Sequence, residues 1–422
     1  MTDLIKLDVG FQNYDWGKEA KDSFVARMKG LSNDTSGKHY AELWVGTHPN
    51  CPSYVIDGEN KIPLAEFIAK PENTYKYLSR THQRGPFKDT IPYLLKILSI
   101  RTALSIQSHP CKALAEKLHK ENPDKYKDPN HKPELICAIS PFEALCCFRS
   151  LQQVVRFLKA SPELAALVKA EEVVGEWWSE GAKFPEADSP KEKKALKGLM
   201  TNLYKADQES VKTGLRAHLK RVKANPSCTE DKVFARVYDQ YPDDVGCWMV
   251  YILNYVQMTK GQALFLSDSE PHAYISGDGV EIMASSDNVV RAGLTPKWKD
   301  VPTLINMLKY DTTGLQKARH QCNRLENAGR WQVQYYQPPR AFPDFSLFRI
   351  EHDEHTGTGT ATCNLPTIGL GFCLFGKAKV NNHEIVAGEC FAVPYGEVEI
   401  QATNSRALLF IASMNRAPLA KI

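Results

Sequence analysis

Gln107, His109, Glu134 and His272 bring together two imidazoles, one carboxylate and one amide oxygen. Gln107 and His109 lie two apart in SIQSHP (105–110), and on a strand that spacing turns both side chains to one face. Glu134 closes the run YKDPNHKPE (126–134), and His272 opens HAY after Pro271. This hard-to-borderline donor set suits one divalent zinc ion per chain, with a position left open for water or substrate. With a single anionic ligand, zinc keeps a net positive charge and acts as a strong Lewis acid. Singly, each residue has an ordinary reading. A lone His109 or His272 is more often a hydrogen-bonded structural histidine, Glu134 could cap a helix, and Gln107 could satisfy backbone groups. The segment HAYISGDGVEIMASSDNVVRAGLTPK (272–297) shifts that balance. Its polar and charged residues sit at short spacing among small residues and glycines, where a core strand would show apolar residues.

The elements that must position these residues fall into three textures. Residues 1–149 carry short apolar runs punctuated by turns, such as AELWVGTHP (41–49) and IPYLLKILSI (91–100), which read as strands. Residues 150–260 place apolar residues three and four apart in LQQVVRFLKA, LAALVKAEEVVGEWW, KKALKGLMTNLYKA and VKTGLRAHLKRVKA, a helical pattern. From Gly261 the strand-and-turn texture returns and continues to the end. The expected organisation is a β domain split in sequence, 1–149 with 261–337, a helical insertion over 150–260, and a second β domain over 338–422. Gly261 leads after a short strand to Pro271-His272, and Gly388 through Gly396 repeats that order without a histidine. Both resemble the pattern of cupin barrels. The expected fold is therefore mainly β, two cupin-type barrels of jelly-roll character plus a helical domain, the second barrel lacking metal ligands.

Composition excludes some partners. The 422 residues are 43% hydrophobic and 24% charged, with 53 basic against 49 acidic side chains, too balanced for a nucleic-acid or membrane-surface footprint. The N-terminal stretch has no basic segment followed by an apolar one, and no run approaches the roughly 20 apolar residues of a membrane span. Eleven cysteines without a C-x-x-C pair read as reduced thiols of a cytoplasmic protein.

The run from Tyr126 to Glu134 resembles the first signature of the type I phosphomannose isomerases, and His272 through Lys297 resembles the second along its whole length. Further similarity lies in NYDWG (13–17), AELWVGTHP (41–49), LSIQSHPCK (104–112) and DVPTL (300–304). The resemblance implies zinc ligation by Gln107, His109, Glu134 and His272, and a monomer that interconverts mannose 6-phosphate and fructose 6-phosphate through a cis-enediol. That reaction feeds mannose into GDP-mannose and glycosylation precursors, or into glycolysis. It further implies proton-transfer groups among Glu281, Lys132 and His131, with Asp287 in ring opening or orientation. Glutamate is a base suited to such isomerisations, and burial beside Ile282 and Met283 would raise its pKa toward the working range. Arg291 supplies a planar fork for a phosphate or an enediolate oxygen. Lys297, Ser105 and Lys96 are the other expected donors, although Lys96 reads equally well as an ion-pair partner at a barrel rim. Trp16, Glu42 and Tyr274 complete the expected pocket.

Two other readings compete. Two histidines and a carboxylate also make the facial triad of an Fe(II) oxygenase, but Gln107 and the Arg291, Lys297, Lys132 cluster exceed what a redox site needs. A non-catalytic sugar-phosphate binder would keep the basic residues and lose a ligand or the base, whereas all are present here.

Overall fold

The computed structural model describes residues 4–79, 82–83, 90–320, 323–324, 331–353 and 359–415. Two eleven-stranded antiparallel sheets dominate it. The first runs through Arg319–His320, Ala263–Leu266, Glu134–Ala138, His272–Ala284, Tyr93–Ile100, Glu42–Val45 and Phe11–Gln12, with Phe142–Phe148, Leu253–Met258, Ile106–Ser108 and Val290–Gly293 attached. Both sheets are cupin-like, and among the described residues neither strand path closes on itself.

The strand His272–Ala284 organises the first sheet because it changes partners along its length. Its first residues pair with Phe142–Phe148 and Ile106–Ser108, and from Gly277 onward it pairs with Tyr93–Ile100 and Glu134–Ala138. The switch falls on Gly277, whose φ is +117° and where an added Cβ would stand 2.5 Å from the Pro141 carbonyl oxygen. Only glycine tolerates both conditions. The bend lets His272 and Glu281, on one strand, serve the same site from two parts of the sheet.

The second sheet is built from Trp331–Tyr336, Ser346–His352, Gly369–Val380, Cys390–Val393 and the long Gly396–Ser413, and it recruits N-terminal strands. Ile5–Asp8 pairs with Cys390–Val393 on one side and with Tyr54–Asp57 on the other. Sheet membership therefore does not follow a division at residue 337, nor does it keep 1–149 whole. One apolar cluster spans both sheets, with Leu95, Ile97 and Ile282 packed in the same core as Phe372, Leu408 and Phe410.

The middle of the chain is helical from Leu151 to Ile252, including Pro190–Lys205, Gln208–Ala224 and Thr229–Gln240. Ser150, Ser189 and Asp207 accept backbone N–H bonds at three helix starts, which is why those helices begin there. The expected helical span to residue 260 is too long at its end. Leu253–Met258 is a strand paired with Phe142–Phe148, where the aromatic and β-branched residues of LNYVQM suit a sheet. The helical core is continuous with the first sheet, since Leu196, Leu215 and Phe234 cluster with Phe148, Ile275 and Leu294.

Candidate active site

His109, Glu134 and His272 meet in the interior, and their ligand atoms all lie within 4.8 Å of one another. His109 Nε2 is 3.3 Å from Glu134 Oε1 and His272 Nε2 is 3.2 Å from Glu134 Oε2. Each ring has its other nitrogen committed to a carbonyl. His109 Nδ1 donates to Asn288 O at 2.8 Å, and His272 Nδ1 donates to Glu270 O at 3.1 Å. A carbonyl only accepts, so these bonds place the proton on Nδ1 and aim both Nε2 lone pairs at the carboxylate. Among the described residues neither Nε2 nor Glu134 Oε2 has a hydrogen-bond partner. Burial lowers the His109 pKa to about 4, against the opposing pull of Glu134, so the imidazole stays neutral. Burial works against the Glu134 carboxylate too, but the groups facing it, among them the Lys132 ammonium at 3.2 Å, hold its pKa well below the usual range. Three buried acceptors pointed at one another fit a divalent cation and little else.

Gln107 enters from the adjacent strand, directly across from His272 on one side and from Arg291 on the other. It also lines a cavity of about 690 Å³ together with Trp16, Glu42, Ser105, Arg291 and Lys297. Arg291 is half-buried and desolvation lowers its pKa; no carboxylate faces it among the described residues. A desolvated guanidinium without an anion is costly unless a ligand supplies one, which makes this end of the cavity suited to a phosphate.

A second polar group borders the metal-type site. In the sheet register Lys96 stands opposite Glu281 on one strand and Trp44 on the other. Its Nζ lies 3.2 Å from Glu42 Oε2, 3.5 Å from Glu281 Oε2 and 4.7 Å above the Trp44 ring. Burial opposes its charge, but Glu42 and Glu281 raise its pKa further. Of the two expected readings of Lys96, this environment is that of the ion pair. Glu281 is pushed up to about 7, first by burial and then by Glu134, with Lys96 and Lys132 pulling the other way. The Tyr274 hydroxyl, also buried, has its pKa raised well above the ordinary value by desolvation and by Glu281.

His131 and Asp287 sit differently. His131 Nε2 is taken up by Asp344, two residues ahead of the second-sheet strand Ser346–His352, 3.0 Å from each carboxylate oxygen. Asp287 faces His48 Nε2 at 3.4 Å and accepts a bond from Asn50. Residues beyond those expected also shape the site. Asp128 accepts from Ser286 and from the Asp287 N–H, and Asn288 donates to Asp128 O and Asn130 O. That knot fixes the Asn288 carbonyl that orients His109. The signal was present as Asx-turn residues in DPN (128–130) and SSDN (285–288).

A cupin-like chain with a buried His-Glu-His group beside an open cleft carrying Arg101, Arg291 and Lys297 defines a metal-dependent enzyme acting on a small anionic substrate. Comparison with known proteins sharpens that class. Residues 4–151 match the catalytic domain of phosphomannose isomerase type I, and residues 171–253 match its helical insertion domain. Mannose-6-phosphate isomerase of Cryptococcus neoformans is 38% identical, over 94% of this chain and 96% of that protein. The human mannose-6-phosphate isomerase is 36% identical over 82% of each. Among solved structures, a zinc-bound mannose 6-phosphate isomerase superposes with a TM-score of 0.79 at 25% identity, covering 98% of this chain and all of that one. A variant of the Salmonella typhimurium phosphomannose isomerase gives 0.79 at 26% identity, with the same coverage. The chain belongs to the type I phosphomannose isomerase family.

Proposed function

We propose that this chain interconverts mannose 6-phosphate and fructose 6-phosphate by proton transfer through a cis-enediol, with one zinc held by His109, Glu134, His272 and the Gln107 amide. The observation that carries the reading is the juxtaposition of the buried His-Glu-His group with a cavity walled by the Arg291 guanidinium, which no carboxylate faces among the described residues. Zinc, when bound, supplies the positive charge that an oxygen-bearing intermediate needs.

The chain's own residues divide the remaining work. Glu281 takes the proton from carbon, since its raised pKa lets it both accept and return one near neutrality. Lys96, pinned between Glu42 and Glu281, keeps that carboxylate ionised enough to act. Lys132 and the buried Tyr274 hydroxyl are the groups able to pass a proton between the two substrate oxygens. Arg291, Lys297 and Ser105 hold the phosphate, and Trp16 and Glu42 wall the sugar. His131 and Asp287 orient the loops on either side of Glu134 and Asn288. The enzyme works as a cytoplasmic monomer linking hexose phosphates to GDP-mannose precursors; ten free cysteines among the described residues suit a reducing compartment. No helix of the described residues is long and apolar enough to cross a membrane.

Metal analysis with a coupled isomerase assay tests the reading. Stoichiometric zinc with turnover of mannose 6-phosphate is the expected result. Iron with oxygen consumption, or sugar-phosphate binding without turnover, would replace it.

A further inference from the structure

The phosphate end of the cavity has two walls, and the helical insertion grips both of them within a seven-residue stretch, 240–246. On one wall, Gln240 accepts the Ala103 N–H at 3.0 Å and the Tyr241 hydroxyl donates to Ala103 O at 2.5 Å. Ala103 lies midway between Arg101 and Ser105, both of which line the cavity. On the other wall, Asp244 Oδ1 accepts from Leu294 N at 2.7 Å and Oδ2 accepts from Thr295 N at 3.2 Å. Leu294 and Thr295 connect Arg291 to Lys297.

Asp244 also caps its own 3₁₀ turn, accepting from Gly246 N at 2.7 Å. Capping explains one of its three bonds; the other two leave the insertion for the pocket loop. That loop is one the chain would not adopt unaided. Leu294 has φ +52°, a conformation leucine disfavours and keeps only where its surroundings impose it. Its side chain is fully packed in the helical core, and its N–H is held by Asp244. The backbones touch directly beside this bond. A Cβ on Gly246 would stand 2.6 Å from Leu294 N, and one on Gly293 would stand 2.5 Å from Gly246 Cα. Tyr204, from the helix Pro190–Lys205, adds a 2.6 Å bond to Ala292 O.

We infer that Asp244 is a positioning residue for phosphate binding: through Leu294 and Thr295 it fixes the spacing and direction of Arg291 and Lys297. Asp244 is not among the cavity-lining residues, so it acts through the loop. A carboxylate so near an anion site would repel the ligand if free, but here both oxygens are spent on three N–H groups, which delocalises and screens the charge. The helical insertion thereby serves as the outer frame of the substrate pocket. This inference rests on the phosphate-binding role given above to Arg291 and Lys297.

The test uses the full zinc-loaded chain and titration calorimetry with inorganic phosphate, alongside KM and kcat for mannose 6-phosphate. Asp244→Ala removes all three acceptor contacts and is expected to raise both the phosphate Kd and the KM about tenfold or more, the effect of losing one to two net hydrogen bonds. Zinc content should stay at one per chain and kcat within about threefold, because the phosphate lies far from the reacting carbons. Asp244→Asn keeps the acceptor for Leu294 and loses the one for Thr295, so its Kd should rise by a smaller factor, about threefold. Unchanged Kd and KM in folded Asp244→Ala, or a loss confined to kcat or zinc, overturns the inference. Should Asp244→Ala fail to fold, Asp244→Asn decides: a wild-type phosphate Kd in that variant overturns it equally. Absence of wild-type turnover of mannose 6-phosphate would instead strike the proposed reaction, since the calorimetric phosphate Kd does not depend on catalysis.

Discussion

His109 Nε2 and Glu134 Oε1 face each other at 3.3 Å with no proton between them, because the ring's one proton is held on Nδ1 by the Asn288 carbonyl. Two lone pairs and a carboxylate gathered in a dry interior repel unless a cation joins them, so folding and metal binding are coupled here. Chelation should abolish turnover and lower Tm, and zinc should restore both. Glu134→Gln should weaken zinc binding by more than about 10²-fold, beyond what loss of an outer-shell partner costs. Metal analysis after dialysis, with thermal melts of apo and reloaded protein, provides the check. Full activity in verified metal-free protein would refute the site.

Lys96 is the counter-ion that tunes Glu281, and this gives a pH dependence with a definite sign. The Glu281 carboxyl is pushed up to about 7 by burial and by Glu134, and bound zinc, being cationic, draws it down from there. Turnover should therefore decline on the acid side as pH falls through that shifted value and Glu281 takes up a proton. Lys96→Met removes a cation 3.5 Å from Glu281, which favours the protonated form and should move the acid limb of kcat to higher pH. An acid limb that stays put in Lys96→Met would mean another group sets it.

Glu281→Gln keeps shape and removes basicity. It should lower kcat by about 10²- to 10⁴-fold, the range ascribed to a general base, while zinc content is unchanged. Isomerisation in heavy water should place deuterium at C2 of mannose 6-phosphate or C1 of fructose 6-phosphate, and the variant should lose that label. Wild-type exchange in Glu281→Gln would transfer the role to Lys132.

Among the described residues no carboxylate faces the half-buried Arg291, so its fork is available to an anion. Arg291→Lys substitutes a point charge for two parallel donors and should lose about 10²-fold or more in kcat/KM, comparable to loss of one oxyanion donor. A loss in KM alone marks phosphate binding; an equal loss in kcat marks stabilisation of the enediolate. Near-normal kinetics would leave Arg291 without either role.

Residues whose types and spacing could do chemistry were legible in the sequence, and relationships made by register and backbone were not. Gln107 and His109 stood out only weakly, by period-two spacing, and Glu134, His272, Glu281 and Arg291 lay inside two long polar signatures. The Glu270 carbonyl that sets the His272 tautomer carries no sequence signal, because any residue has a carbonyl. Lys96 left two readings open until the register with Glu281 and Trp44 was known. The pairing of Ile5–Asp8 with Cys390–Val393 spans nearly the whole chain, a contact that local periodicity cannot encode. Leu253–Met258 was absorbed into the helical block because an apolar run so short fits either state.

His131 tests where the family signature ends in chemistry and where it ends in architecture. Its Nε2 sits 3.0 Å from both oxygens of Asp344, a carboxylate with no solvent exposure just ahead of the second-sheet strand Ser346–His352, and its ring stacks on Phe342. That geometry ties the loop bearing Lys132 and Glu134 to the C-terminal unit. Removing one partner leaves the other's charge or polar group buried and unpaired, so His131→Ala should cost about 3–5 kcal/mol of stability. The double variant His131→Ala with Asp344→Asn should recover part of that loss, because the stranded charge is gone. If the tie is architectural, kcat per folded, zinc-loaded molecule should stay within about threefold in the double variant, since a proton-transfer group would be worth about 10²-fold or more. Denaturant melts and turnover corrected for zinc content separate the two roles. An unchanged melt with a collapsed kcat would return His131 to the reaction itself.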